Sequence, residues 1–137
     1  MRIAVTGATG FIGRHVVEEA LRQGHEVVAT GRSRKKVTGM PWISRVTFRE
    51  LDLASPGADP FDHLGRPDGL VHLAWSGLES YNSMDHLTVE LPRHFDFLGR
   101  MRTGGLHTML VTGTCLEYGM QLGCLSESQP TAPGTPY

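Results

Sequence analysis

Three glycines near the start of the sequence, Gly7, Gly10 and Gly13, have the spacing of a loop that binds phosphate groups. They follow a short β-branched run that ends at Val5, and they precede a helical pattern over residues 15–22. A phosphate-binding loop needs this order of strand, glycine turn and helix. A glycine triplet alone would also suit an ordinary tight turn, but the flanking strand and helix favour a nucleotide cofactor.

Each glycine has a separate role in such a loop. Gly7 allows the tight turn after the strand, and Gly10, which lacks a Cβ, lets the backbone approach a pyrophosphate. Gly13 lets the helix pack closely on the strand. The helix N-terminus then offers free N–H groups and a positive dipole end to the phosphates. The predicted cofactor contacts of this segment are Gly7, Thr9, Gly10, Phe11, Ile12 and Gly13.

The segment Thr6–Gly13 reads Thr-Gly-Ala-Thr-Gly-Phe-Ile-Gly and resembles the glycine loop of the extended short-chain dehydrogenase/reductase family. That family includes nucleotide-sugar epimerases, dehydratases and 4-keto reductases. The resemblance covers the whole chain, because the later segments match as well. It implies an α/β fold, namely a Rossmann-like doubly wound parallel sheet with helices on both faces. About five strands are expected in the order 3-2-1-4-5, as the N-terminal part of a longer domain.

Hydrophobic periodicity predicts where these strands and helices lie. The predicted strands are at 2–6, 26–30, 45–49, 68–74 and 107–112, and the predicted helices are at 11–23, 61–64 and 84–101. Pro92 interrupts the last helix, so we expect a kink or a late start there. In the fifth strand we expect Met109, Leu110 and Val111 to be buried.

The residues after the second strand bear on the choice between NAD and NADP. NAD enzymes of this fold place an acid there to hold the ribose 2′-hydroxyl, but this sequence has Gly31. Arg32, Ser33 and Arg34 follow, and a guanidinium binds a 2′-phosphate bidentately while a serine hydroxyl adds a donor. We therefore expect NADP, with Arg32 as the main contact and NAD as the second choice. A solvated basic loop without ligand contacts is the alternative.

Two further segments match cofactor contacts of the family. Asp52 and Leu53 stand where the family's Asp-Leu pair lines the adenine pocket, although such an Asp can also cap a turn. The strand end around Leu73 and Ala74 resembles the family's His-Leu-Ala, where the backbone passes close to the cofactor, and Trp75 follows it. The resemblance thus implies cofactor contacts at all five positions.

Residues near the fourth strand have other expected roles. His72 is expected to be a packed strand residue and not a catalyst. The loop after the strand leaves its carboxyl end, where α/β sheets bind ligands. Its residues Trp75, Ser76 and Tyr81 could contact substrate, or the aromatic side chains could pack on each other.

The family's catalytic residues map onto the last part of the sequence. Residues 112–119 read Thr-Gly-Thr-Cys-Leu-Glu-Tyr-Gly and resemble the Ser-Ser-x-x-x-Tyr-Gly segment, which places Thr114 on the catalytic Ser/Thr. Tyr137 looks like the tyrosine of the family's Tyr-x-x-x-Lys motif, whose lysine would stand four residues later. The resemblance implies that Tyr137 exchanges a proton with a sugar oxygen while Thr114 stabilises the charge on it.

The expected function follows from these matches. Residues 1–137 are expected to form the NAD(P)-binding domain of a longer enzyme, truncated before the catalytic lysine and a C-terminal substrate domain. The expected reaction is hydride transfer at C4 of a nucleotide sugar, of the 4-keto reductase type, with little turnover in this chain alone. An NAD-dependent epimerase or dehydratase and a non-catalytic NADP-sensing module are the alternatives. Because family members often dimerise, a homodimer is also expected.

Composition excludes several other classes. The 137 residues carry a formal net charge of −1, so no nucleic acid or anionic membrane partner is expected. No apolar run approaches the roughly 20 residues of a membrane-spanning helix, and Met1 leads directly into a strand, which predicts no signal peptide. The seven histidines lack metal-ligand spacing, so no metal is expected. Cys115 and Cys124 are expected to be reduced thiols of a cytoplasmic protein, with a disulfide or a reactive thiol as alternatives.

Overall fold

The predicted strands form one sheet, seen in a computed structural model that describes all 137 residues. The strands are β1 (Arg2–Thr6), β2 (Glu26–Gly31), β3 (Thr47–Glu50), β4 (Gly69–His72) and β5 (Thr108–Val111). Their order is β3-β2-β1-β4-β5, and every neighbouring pair is parallel. The expected order 3-2-1-4-5 is therefore confirmed, and the strand boundaries lie within two residues of the predicted ones.

The helices connect successive strands and differ widely in length. They are α1 (Phe11–Arg22), α2 (Arg34–Val37), α3 (Pro60–His63) and α4 (Leu91–Gly104). The short helix α2 was not predicted, and it begins because the Ser33 side chain accepts a hydrogen bond from the Lys35 N–H at 3.3 Å. None of the helices combines the length and the apolar character that crossing a bilayer requires.

Two apolar clusters lie on opposite faces of the sheet, as a doubly wound fold requires. Neighbouring strand residues point to opposite faces, so Ala4 and Val5 of β1 enter different clusters. The cluster on the α1 face consists of Val5, Ala8, Val17, Ala20, Val27, Ala29, Val37, Trp42 and Phe48. The cluster on the α4 face consists of Ala4, Val28, Leu51, Phe61, Leu64, Leu70, Phe97, Met101 and Leu106.

The late start of α4 is one of the two outcomes expected from Pro92. Before the helix, His86–Glu90 forms a wide turn in which the Leu91 N–H bonds back to the His86 carbonyl. Pro92 then falls in the first turn of α4, where its missing N–H leaves no helical bond unmade. The turn therefore avoids the clash that a proline in the helix interior would cause.

The edge strand β5 is less covered than the sequence predicted. Met109 is half-buried, but Leu110 and Val111 are 57% and 52% exposed. The prediction that Leu110 and Val111 are buried was wrong. The strand pairs only with β4 at the end of the sheet, where helices no longer cover both faces.

Candidate functional site

A cavity of about 690 Å³ opens at the carboxyl ends of the strands. In open α/β sheets, ligands bind at this end, in the crevice where the strand order reverses. The order reverses here between β1 and β4. The predicted cofactor residues that line the cavity are Gly7, Thr9, Gly10, Phe11, Ile12, Gly13, Arg32, Ser33, Asp52, Leu53, Leu73, Ala74 and Trp75.

The glycine loop leaves no room for side chains where it contacts the rest of the sheet. Gly7 has a φ of +67°, and a Cβ built on it would lie 3.0 Å from the Ala74 nitrogen. A Cβ on Gly13 would overlap the Gly7 carbonyl oxygen and come within 2.8 Å of the Ala8 Cα. Both glycines are therefore required by backbone contacts, and the loop brings the start of α1 close to the end of β4.

The N-terminus of α1 has the features of an anion site. The first helical bond is donated by the Arg14 N–H to the Gly10 oxygen, so the N–H groups of Phe11, Ile12 and Gly13 have no helical partner. No side chain caps this end, and its first turn contains no acid. At Gly10 a Cβ would lie only 3.1 Å from the Gly7 oxygen. These residues fit the diphosphate of a dinucleotide.

After β2, the cavity is lined by cationic side chains. The acid that NAD enzymes of this fold place at this point is absent. Arg32 lines it together with Lys36, which the sequence analysis did not single out. A Cβ on Gly31 would meet Thr9 at 3.5 Å and Phe48 at 3.7 Å. These are ordinary contacts, so the backbone would accept a side chain at this position.

Arg34, predicted as a helper of Arg32, lies outside the cavity. Its backbone N–H donates to the Glu50 carboxylate at 2.7 Å, and its guanidinium lies over the Phe48 ring at 5.4 Å. The cause is helix α2, which places Arg34 beside β3 and leaves Lys36 at the cavity. No sequence periodicity indicated this helix.

Asp52 caps a turn and also lines the cavity. Its Oδ1 accepts a hydrogen bond from the Ala54 N–H at 3.0 Å, so the side chain caps a turn. The residue is exposed and also lines the cavity. A carboxylate has a second oxygen that can accept from a ligand. The turn therefore fixes the side chain next to Leu53, which also lines the cavity.

A buried chain of polar side chains lies behind the cavity, between β1, β4 and α4. The Thr6 Oγ1 is 2.8 Å from His72 Nδ1, and His72 Nε2 is 2.7 Å from His94 Nδ1. His94 Nε2 lies 3.5 Å from a carboxylate oxygen of Glu90. The other oxygen of Glu90 accepts from Arg93 Nη1 at 2.7 Å. Thr6, His94, Glu90 and Arg93 line the cavity, whereas His72 does not.

One arrangement of protons satisfies this whole chain. The Thr6 oxygen accepts from the backbone N–H groups of Leu73 and Ala74 at 3.2 and 3.3 Å, and its hydroxyl donates to His72. His72 then donates through Nε2 to His94. Burial, reinforced by His94, lowers the pKa of His72 to about 4. Burial also lowers the pKa of His94, although Glu90 opposes the shift. Both rings are thus neutral near pH 7.

His72 is a packed strand residue, as expected, but its partners on α4 were missed. It is 2% exposed and stacks on Phe97 with ring centroids 5.4 Å apart. No role was predicted for His94 from the sequence. The available signal was the pair Glu90 and His94, spaced four residues apart on one helix face.

Tyr137 lies in an aromatic cluster outside the cavity lining. Its ring centroid is 5.2 Å from that of Tyr81 and 6.0 Å from that of Trp75, and its N–H donates to the Tyr81 carbonyl at 3.3 Å. Burial, followed by Tyr81 and Cys115, raises the pKa of its phenol above the usual value. Of the loop residues expected near substrate, Trp75 and Ser76 line the cavity, while Tyr81 packs on Tyr137.

Thr114 also lies outside the cavity lining. Its hydroxyl oxygen accepts from the Leu116 N–H at 3.2 Å and caps the single turn Cys115–Tyr118. No hydrogen bond joins it to Tyr137. The structure therefore gathers all the predicted cofactor residues except Arg34 around one cavity, and the predicted catalytic residues Thr114 and Tyr137 lie outside its lining.

The sheet order, the glycine loop and the cavity define a dinucleotide-binding domain of the Rossmann type. The family model described as the NAD dependent epimerase/dehydratase family matches residues 3–137. The chain belongs to this family, which corresponds to the resemblance found in the sequence.

Two curated relatives differ in the chemistry that their names give. A dTDP-6-deoxy-L-talose 4-dehydrogenase (NAD(+)) from Aggregatibacter actinomycetemcomitans is 30% identical over 137 residues, which are 100% of this chain and 50% of that protein. A chloroplastic divinyl chlorophyllide a 8-vinyl-reductase from Zea mays is 60% identical over 126 residues, covering 84% of this chain and 31% of the reductase. The chain spans half or less of the length of these relatives.

Solved structures of nucleotide-sugar enzymes share the fold. A UDP-glucose-4-epimerase from Stenotrophomonas maltophila, with bound NAD and formylated UDP-arabinopyranose, superposes with a TM-score of 0.81 at 24% identity, covering 100% of this chain and 44% of the epimerase. The protein MoeE5, in complex with UDP-glucuronic acid and NAD, superposes with a TM-score of 0.75 at 28% identity, covering 100% of this chain and 44% of MoeE5.

Proposed function

We propose that this domain binds NADP and belongs to an enzyme that reduces the 4-keto group of a nucleotide sugar. The observation that supports NADP is the wall of the cavity after β2, where Gly31 replaces an acid and both Arg32 and Lys36 line the space. A 2′-phosphate carries negative charge that an acid would repel and a guanidinium binds bidentately. Ser33, which also lines the cavity, offers a further hydroxyl donor.

An NAD-dependent epimerase or dehydratase is the second candidate. The solved structures of similar fold hold NAD, and the talose dehydrogenase carries NAD(+) in its name. The name of the maize relative, a reductase, favours the reductase type. A non-catalytic NADP-sensing module is a third candidate, but such a module would need neither Thr114 nor Tyr137.

The experiment that separates the first two candidates is a calorimetric titration of the 137-residue chain with NADPH and with NADH. Preference for NADPH by tenfold or more, which corresponds to about 1.4 kcal/mol, supports the proposal. The variant Arg32→Gln should lose most of this preference. Lys35→Gln is the matched control, because Lys35 is exposed and does not line the cavity. Equal binding of the two cofactors, or preference for NADH, would transfer the assignment to the second candidate.

In the proposed reaction, NADPH supplies the hydride, and the residues of this chain handle the proton and the charge. Tyr137 donates its phenolic proton to the sugar ketone, and the Thr114 hydroxyl donates a hydrogen bond to the same oxygen. The phenol must have a lowered pKa to work near neutral pH, whereas its surroundings here raise the pKa. A cation beside Tyr137, the role that the resemblance gives to a lysine, would reverse that shift.

We propose that the remaining part of the enzyme supplies the lysine and a substrate domain. This proposal rests on the share of the talose dehydrogenase that the chain spans, which is 50%. The 137-residue chain alone should then bind cofactor without measurable turnover. A steady-state assay with NADPH and a nucleotide 4-keto sugar tests this, because turnover by the isolated chain would contradict it.

A homodimer and a cytoplasmic location complete the proposal. Leu87, Leu91 and Phe95 are spaced by four residues and are 45%, 48% and 78% exposed, which gives α4 and the turn before it an apolar outer stripe. Sedimentation velocity should show a dimer that Phe95→Glu dissociates, whereas Arg102→Glu on the same helix should not dissociate it.

The two exposed free thiols, Cys115 and Cys124, are consistent with a reducing compartment and so with the proposed cytoplasmic location.

A further inference from the structure

The cations that line the cavity approach it from two different parts of the chain. Arg32 and Lys36 follow β2, and the proposed function assigns them to the 2′-phosphate. Arg93 lines the same cavity from α4, together with Ala74, which lies two residues after β4. The N-terminus of α1, which offers N–H groups for a diphosphate, opens into this space as well. Arg93 therefore has no assigned partner other than Glu90.

The guanidinium of Arg93 is held in place by a hydrogen bond, but most of its N–H donors have no partner. It makes one hydrogen bond, from Nη1 to Glu90 at 2.7 Å, and a guanidinium has five N–H donors. Its side chain is 35% exposed, so the remaining donors are accessible from the cavity. A guanidinium in a fixed orientation suits bidentate binding of a phosphate group.

Glu90 is itself fixed by the buried polar chain. It is 8% exposed, and a carboxylate buried to this extent requires partners. Arg93 and His94 supply them, and His94 is held in turn by His72. Because His72 is anchored on Thr6 in β1, the orientation of Arg93 is tied to the sheet and not only to its own helix.

We infer that Arg93 is a diphosphate-binding residue of this cavity and that Glu90 is its positioning residue. The ligand chemistry is the diphosphate of a nucleotide, bound between the Arg93 guanidinium and the N–H groups at the start of α1. This inference rests on the proposed function, since it assumes that the cavity takes a dinucleotide. Two molecules carry such a diphosphate, the cofactor and a nucleotide-sugar substrate, and the cofactor is the source we assign.

The test compares ligands that differ in the diphosphate. NADPH and NADH contain it, whereas 2′,5′-ADP carries the adenosine and a 2′-phosphate without a diphosphate. The 137-residue chain is titrated with all three, and with UDP as the probe of a nucleotide-sugar diphosphate. The variants are Arg93→Gln and Arg93→Lys, and Arg102→Gln is the matched control because Arg102 is exposed on α4 and does not line the cavity. Thermal unfolding of each variant verifies that it is folded.

The expected result is a weakening of both NADPH and NADH binding by about tenfold in Arg93→Gln, equal to about 1.4 kcal/mol. Binding of 2′,5′-ADP should stay within about twofold of the unsubstituted chain. Arg93→Lys should recover part of the loss, since it keeps a positive charge without the planar fork. Arg102→Gln should bind all ligands as the unsubstituted chain does.

Four other results have defined meanings. Unchanged cofactor binding by Arg93→Gln, with unchanged UDP binding, overturns the inference while leaving the proposed function intact. Weaker UDP binding with unchanged NADPH binding keeps the diphosphate chemistry but assigns it to the substrate. An equal loss of 2′,5′-ADP and NADPH binding overturns the inference, because the effect would then not depend on the diphosphate. If the unsubstituted chain binds none of the four ligands, both proposals fail.

Discussion

His72 Nε2 lies 2.7 Å from His94 Nδ1, and both imidazoles are almost fully buried. The pair connects β4 to α4. The residues that follow β4 contact Gly7 of the glycine loop, and α4 contributes Arg93 to the cavity wall. Two rings this close cannot both be protonated without strong repulsion. The cavity wall is therefore supported by a polar chain that is complete only while the histidines are neutral.

The histidine pair predicts a loss of stability in mild acid. An unfolded histidine has a pKa of about 6.5, while burial and His94 hold the pKa of His72 at about 4. Below pH 6.5 the unfolded chain takes up a proton that the folded chain does not bind, so the free energy of unfolding falls until about pH 4. The loss expected from His72 is about 3 kcal/mol. Urea unfolding across this pH range measures it.

A substitution separates this effect from other titrating groups. His72→Asn should be less stable than the unsubstituted chain at pH 8, because it breaks the hydrogen bonds to Thr6 and His94. Its stability should nevertheless change less between pH 6.5 and 4. The control is His107→Asn, since His107 is exposed. An acid dependence that is the same in all three proteins would show that His72 does not cause it.

Gly31→Asp should move the cofactor preference from NADPH toward NADH. The backbone accepts a Cβ at this position, because the nearest atoms would be 3.5 Å or more away. The new carboxylate would accept from the ribose 2′-hydroxyl and repel a 2′-phosphate. We expect a change in the NADPH/NADH affinity ratio of about tenfold or more. Calorimetry checks this, and an unchanged ratio would mean that position 31 does not face the ribose.

Gly13→Ala should destabilise the chain, whereas Gly99→Ala should not. The first substitution puts a methyl group onto the Gly7 and Ala8 backbone, and such overpacking costs about 1–3 kcal/mol or more. Gly99 lies in α4, and a Cβ added there would meet no atom within 4 Å, so alanine should stabilise the helix by about 0.5–1 kcal/mol. Urea unfolding of the two variants should give effects of opposite sign.

Because β4 is more buried than β5, alanine substitutions of a leucine in each strand should lower the free energy of unfolding by different amounts. Leu70 in β4 is 2% exposed, and Leu70→Ala should cost about 2–5 kcal/mol in the free energy of unfolding. Leu110 in β5 is 57% exposed, so Leu110→Ala should cost less than about 1 kcal/mol. Similar costs, measured by urea unfolding of the isolated chain, would mean that β5 is covered in solution.

Local patterns in the sequence were sufficient to locate the strands and the glycine loop, and the family resemblance supplied the order of the strands. The unbroken apolar run Val27–Ala29 and the glycine spacing predict a buried parallel strand and a phosphate loop, because these features depend on residues close together in the chain. The position of Pro92 likewise predicted a kink or a late helix start, and the structure shows the late start. The burial of Leu110 could not be predicted, since it depends on what packs on an edge strand.

The sequence by itself determined which residues line the cavity at the glycine loop, because strand, loop and helix follow one another there without interruption. Only the tertiary structure decided which cations face the cavity. Helix α2 placed Lys36 at the cavity and Arg34 against Phe48, and the packing of α4 on β4 joined His94 to His72. Those contacts join residues from separate elements, and their hydrogen bonds depend on how the elements pack and not on spacing along the chain.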